Sequence, residues 1–267
     1  MDPAQVPSPE HVGVLLQVAY DGTDFHGWVS SPGARNVYDT VVAGIRAVDI
    51  HASLPRGVSR TDAGVHAHAQ MVAFDTQKRI PARGWLLGIN AHLPDDVAVR
   101  RVVPIGAGFV PRFSCTRKRY EYSILMDRVR DPAQMRFAWR VDQPLDVPAM
   151  RRAALSALGT HDFAAFRSAR DERINTIRTI DQISIDALPD GRTLKIGVEG
   201  PGFMYNMVRI LVGTLVDIGR GRLPVTRVAE ALAARDRRLG GQTAPALGLL
   251  LARVDLDLPD GAAEPWP

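Results

Sequence analysis

Apolar residues along this chain follow two different spacings, and the alternation between them outlines an α+β protein. Residues 14–20 (Val-Leu-Leu-Gln-Val-Ala-Tyr) read as a first strand. Val37, Val41, Ile45 and Val48 then recur at helical spacing behind Asn36, a residue type favoured as an N-cap. Residues 65–74 return to an alternation that reads as extended chain; a second helix is predicted over 83–91 and another strand over 97–103. Together these make one α+β unit, with 104–108 as its boundary.

The second half repeats the same kinds of element without visible sequence repetition. Residues 119–126 are strand-like, and Asp146 with Pro148 opens a helix that Gly159 is expected to close. Residues 177–185 and 193–199 read as paired strands. Over 203–218, Met204, Met207, Val208, Leu211, Val212, Leu215 and Val216 recur at helical spacing up to Gly219. That stripe is core, not a cofactor site. A helix over 226–235 and a strand over 248–254 complete the pattern. The expected organisation is a disordered Pro-rich tail at 1–12, domains at 13–107 and 108–257, and a tail at 258–267.

Composition narrows the function classes. With 46% hydrophobic and 23% charged residues, the 267-residue chain has the make-up of an ordinary globular protein able to bury two cores. A formal net charge of +4 and a pI near 9.6 favour a polyanionic partner. The single cysteine, Cys115, excludes an intrachain disulfide and a multi-cysteine zinc site, and fits a reducing compartment. With no secretory apolar segment and no run long enough to span a bilayer, the expectation is a cytoplasmic protein with no membrane partner. No Walker loop and no strand-led G-x-G-x-x-G are found, so no cofactor is expected. His66 and His68 could share a strand face, but no third or fourth ligand accompanies them, so no metal is expected.

The chemistry concentrates in residues 59–70, Ser-Arg-Thr-Asp-Ala-Gly-Val-His-Ala-His-Ala-Gln. Asp62 stands in a glycine-containing turn at the entry of a strand, with Arg60 two residues before it. An arginine partner would hold the acid ionised, the state a nucleophile or base needs. Thr-Asp-Ala-Gly is also a good Asx-type turn with a purely structural role. Arg112, Arg117, Lys118 and Arg119 are interleaved with Phe113, Tyr120 and Tyr122, offering phosphate contacts and flat faces for unstacked bases; a solvated edge strand would look the same. Arg209 lies on the polar side of the long helix, where it could reach an anion or simply be solvated. Arg235, Arg237 and Arg238 read as an exposed helix end.

These residues sit in an ordered set of motifs. Arg60 to Ala67, eight consecutive residues, resembles the G-R-T-D-A-G-V-H-A signature of the TruA family of tRNA pseudouridine synthases. Tyr20-Asp21-Gly22-Thr23, Phe25 and Gly27-Trp28 are similar to that family's first motif, and Arg112-Phe113-Ser114 with Arg119-Tyr120-Glu121-Tyr122 to its central one. Gly159 to Phe163, Phe203 to Arg209, Thr243 to Ala246 and Gly248-Leu249 follow in family order, so the resemblance spans roughly residues 14–257. The chain departs from the family pattern at Val29, Ser31, Tyr38, Ser59, Ala69, Val110-Pro111 and Arg140.

The resemblance implies the pseudouridine synthase fold, two ferredoxin-like halves forming a continuous antiparallel sheet flanked by helices. It implies cofactor-free isomerisation of uridine to pseudouridine in the anticodon stem-loop of tRNA, at the family's nucleotides 38–40, by a homodimer. Asp62 would be the nucleophile or base, by attack on C1′, addition to the ring, or a glycal route. Arg60 would keep Asp62 ionised and fill the gap left by a flipped base, and Tyr120 would stack on the target uracil. Arg209 would pair with Asp62 or a phosphate, and Arg112, Arg117, Lys118 and Arg119 would hold phosphates. The alternatives are a paralogue acting on a free uridine nucleotide or another RNA, and a non-catalytic RNA-binding protein.

Overall fold

The protein is described from a computed structural model covering residues 11–168, 171 and 174–259. Of the expected tails, 1–12 and 258–267, residues 1–10 and 260–267 lie outside the described residues, and Val12 already belongs to the first strand. The elements run β1 (Val12–Tyr20), α1 (Val37–Val48), β2 (Arg56–Gly57), β3 (His66–Thr76), α2 (Ala82–Asn90), β4 (Val97–Ile105), β5 (Cys115–Met126) and β6 (Trp139–Val141). They continue with α3 (Val147–Leu155), β7 (Gly159–Asp162), β8 (Ile177–Ile180), β9 (Gln182–Ala187), β10 (Thr193–Gly200), α4 (Met207–Gly219), α5 (Arg227–Ala234) and β11 (Leu249–Leu256). Among the described residues, contacts divide the chain into two units, 11–116 with 251–259, and those within 117–250.

In the first unit the strands lie in the order β4-β1-β3, with the two-residue β2 and then β11 also beside β3. The order β-α-β-β-α-β with neighbours 4-1-3-2 is ferredoxin-like, its second strand cut to a stub. β1 is antiparallel to both β3 and β4; Leu15 is covered on one face by Phe109 and Leu256, while Val14 and Leu16 point to the opposite face, so the three are buried in succession rather than alternately. Asn36 caps α1 by accepting from Asp39 N–H, and the buried stripe of that helix is Val37, Val41, Gly44 and Ile45. Trp85 of α2 meets Phe74 of β3 edge to face, with ring centroids 5.2 Å apart.

A partly buried ion pair fastens this unit's end. Both Nη atoms of Arg56 donate to the Asp75 carboxylate at 2.9 Å. Asp75 also accepts from Gly108 N–H, and Arg56 Nε donates to Phe109 O, so the turn after β4 is tied to β2 and β3. Phe109 and Leu256 pack there against Leu15, Ala73, Val103 and Ile105.

In the second unit β10 lies between β5 and β9, antiparallel to both, repeating the 1-3-2 part of the same order. α4 is buried along nearly its whole length, as its apolar stripe predicts. Four details differ from the sequence expectations. The stretch 177–185 is two strands: β8 pairs with β7, the chain breaks at Asp181, whose N–H donates to Glu199 O, and β9 pairs with β10. The long helix starts at Met207, not 203, because Asn206 takes the left-handed conformation (φ 60°), which a right-handed helix cannot contain. Gly159 does not close α3, which stops at Leu155; with φ 92° it opens β7 instead. Finally β6 pairs with β5 in parallel, a departure from an all-antiparallel sheet that the twelve residues 127–138 between them make possible.

Asp75→Ala would leave a partly buried guanidinium and the Gly108 N–H without this acceptor and is expected to lower stability by about 2 kcal/mol in urea unfolding. Combining Arg56→Met with Asp75→Leu is expected to restore most of that loss.

Candidate active site

The turn that carries Asp62 is built by the loop after β1, some forty residues earlier. Thr61 faces inward: its carbonyl accepts from Trp28 N–H at 3.0 Å, and its hydroxyl is 2.7 Å from the Tyr20 hydroxyl, both groups buried. Val65 N–H closes the turn on Asp62 O at 3.1 Å, and Gly64, at φ 76°, donates its N–H to Phe25 O. Gly27 is itself at φ 90°, and a Cβ there would lie 2.7 Å from Thr61 O, so this approach requires glycine. Gly22 N–H donates to His66 Nδ1 at 3.0 Å, tying the loop to the first residue of β3. A Cβ on Gly22 would collide with Val65 O. Gln70 Nε2 secures the start of the turn at Ser59 O, 2.6 Å away.

The loop is held in its turn by Arg35, which makes a two-pronged ion pair with Asp96 and lies 4.0 Å over the Phe25 ring. The Asp96 hydrogen bond raises the Arg35 pKa further above its ordinary value. Asp62 is thus half-buried on a backbone fixed from three sides. Arg60 departs from expectation: it is exposed and makes no ion pair among the described residues. Thr61 is drawn inward by Trp28 and Tyr20, which turns its neighbour Arg60 outward.

The second unit brings together a separate group. Tyr120 is buried on β5 opposite Val198, with the Phe203 ring edge-on at 5.4 Å. Arg209, in the first turn of α4, donates from Nε to Ala244 O and from Nη1 to Asn206 Oδ1, each at 2.8 Å, while Ala244 N–H returns a bond to Arg209 O. The neighbouring Pro245 O accepts from the hydroxyl of buried Tyr122 at 2.7 Å. Burial drives the Tyr122 pKa far above the phenol range against the opposing pull of Arg209, so this hydroxyl is a structural donor at any ordinary pH.

The expected phosphate ligands fare unequally. Arg112 and Arg117 are exposed, the latter 3.7 Å from Asp181. Lys118 is partly buried. Arg119 donates to Glu199 at 2.6 Å and Glu121 at 3.0 Å, the Glu199 bond chiefly raising its pKa, and its guanidinium covers Gly197. Its charge is already used inside the sheet, because a side chain on β5 lies directly across from β10. Tyr20, Thr61 and Phe203 were not read from the sequence as site-forming, although each sits within or beside a recognised motif. No group of three metal-ligating side chains occurs among the described residues. His66 is buried against Gly22 and His68 is exposed.

A family model described as tRNA pseudouridine synthase matches residues 153–257. A protein named tRNA pseudouridine synthase A from Halalkalibacterium halodurans is 40% identical over 244 residues, 90% of this chain and 91% of its own. Another of that name, from Moorella thermoacetica, is 41% identical over 242 residues, 90% of this chain and 98% of its own. The chain belongs to the tRNA pseudouridine synthase A family.

One departure from the family pattern now has a local account: Tyr38 packs edge-on against Trp28 at 5.9 Å and so supports the loop that shapes the Asp62 turn. Gly27→Ala would force Thr61 O aside. It is expected to cut turnover at least tenfold, while far-ultraviolet circular dichroism remains that of a folded protein.

Proposed function

We propose that the protein isomerises uridine to pseudouridine in tRNA, with Asp62 as the reacting carboxylate. The observation that carries this is the turn itself: a half-buried acid on a backbone held by Tyr20, Phe25 and Trp28 is a prepositioned group, not a loose surface residue. The reaction breaks the bond between uracil N1 and ribose C1′, turns the base, and joins C5 to C1′. The C5 proton leaves as N1 regains one, so atoms balance without oxidant, energy source or cofactor. The base must leave its stack to be reached, which requires aromatic and polar surfaces to receive it.

Tyr120, braced by Phe203, takes the role of stacking on the target uracil. Arg209, aligned by Asn206 and Ala244, takes that of pairing with a phosphate. Arg60, pointing to solvent, suits insertion into the space a flipped base vacates better than holding Asp62 ionised. Arg112, Arg117 and Lys118 take phosphates, whereas Arg119 acts through Glu199 and Glu121 by fixing the strand that carries Tyr120. The family resemblance supports the anticodon stem-loop as target, a homodimer as the working form, and a cytoplasmic setting without metal. No helix among the described residues is long and apolar enough to cross a membrane.

Wild-type protein is expected to release tritium from tRNA carrying C5-tritiated uridine and not from tritiated UMP. Asp62→Ala should abolish that release while retaining most of the tRNA affinity; normal turnover by this variant would remove Asp62 from the mechanism. Light scattering is expected to give twice the 29.2 kDa chain mass.

A further inference from the structure

The connection between β5 and β6, residues 127–138, holds both of its acids in hydrogen bonds and leaves its arginines exposed. Asp127 is occupied by Val129 N–H and Arg192 Nη1, each at 2.9 Å. Asp131 is occupied by Ala133 N–H at 3.1 Å and Gln134 Nε2 at 2.9 Å, and its carbonyl accepts from Gln134 and Met135 N–H. Arg140 braces the loop's entry from β6, donating to the carbonyls of Asp127 and Arg128 at 3.2 and 3.1 Å. Arg128, Arg130 and Arg136 are exposed, and among the described residues neither Arg128 nor Arg130 pairs with a carboxylate. Val129 between them is 72% exposed, so the segment is displayed and not packed down.

We propose that this loop is a docking surface for the phosphate backbone of a duplex arm of the substrate tRNA, away from the target nucleotide. The inference rests on the proposed function. A solvated charged loop needs neither the bracing by Arg140 nor the capture of both acids, whereas a phosphate site gains from each, through a fixed position and two guanidinium groups left without a carboxylate. Guanidinium groups also suit phosphate oxygens in a two-pronged geometry that lysine cannot provide. The distance sets which part of the RNA is met. Tyr120 and Met126 are six residues apart on β5, about 20 Å at ~3.3 Å per residue. The loop beyond Met126 therefore lies about six steps along a duplex that runs parallel to β5 from a base held at Tyr120, at roughly 3.4 Å per step.

The test is binding of intact tRNA, followed by fluorescence anisotropy across a salt series, by the wild-type dimer and by the Arg128→Ser/Arg130→Ser variant. A hairpin with its stem cut to about four base pairs around the target uridine, too short to reach the loop, is measured in parallel. For intact tRNA the variant is expected to lose roughly tenfold in affinity near 0.1 M salt, and about two from the slope of log K against log salt. An unchanged slope on intact tRNA overturns the proposal, and so does an equal loss on the short hairpin, which would place these arginines at the target nucleotide. Because the readout is binding, it separates from the functional reading. Absent tritium release with the slope difference intact would remove the activity and keep the surface, and normal release with an unchanged slope would do the reverse.

Discussion

Thr61 is the residue on which the candidate catalytic group depends. Its carbonyl is held by Trp28 N–H, its hydroxyl by Tyr20, and the next residue is Asp62. Each such bond contributes only about 1 kcal/mol net, but leaving a buried hydroxyl or carbonyl unpaired costs about 1–3 kcal/mol, so alternatives to this turn are disfavoured by more than the bonds themselves stabilise. The glycines at 22 and 27 are the other half of the same constraint. The loop can reach the turn only where no Cβ intervenes, and Gly27 and Gly64 supply the positive φ values that let both segments bend.

The second unit solves a similar problem with a helix in place of a strand. Residues 241–245 are strapped to α4: Gly241 N–H donates to the Thr214 hydroxyl, Gln242 Nε2 to Asp217, and Ala244 exchanges bonds with Arg209. Gly213 leaves room for the Gln242 carbonyl to lie against the helix. The strap delivers Pro245 O to Tyr122 and leaves Arg209 in one orientation, so the aromatic pair Tyr120–Phe203 and the arginine are carried by a single stiff assembly. Its stiffness comes from burial. Tyr122 is fully enclosed, with Gly248 pressed on its ring, and cannot give up its hydrogen bond without leaving an unpaired hydroxyl.

Much of the fold was legible along the chain. α1 with its Asn36 cap, the strand opening at His66, and the buried length of α4 follow from spacing and cap chemistry, because those preferences act over a few residues. The break at Asp181, the two-residue β2 and the parallel β6 were not, because strand partners are chosen by long-range pairing and by the connection that delivers them. The return of β11 to the side of β3 is of the same kind.

The spacing of apolar residues determined by itself that this chain is α+β, and the order of its motifs that it belongs with tRNA pseudouridine synthases, with Asp62 as its candidate acid. Only the tertiary structure decided that Arg60 points outward, that Arg119 is bound by two glutamates, and that Tyr20 and Thr61 meet. The reason is physical. A residue's type and local spacing record what it can do, whereas its partner depends on segments tens of residues away that must approach closely enough to exclude water and satisfy every buried donor.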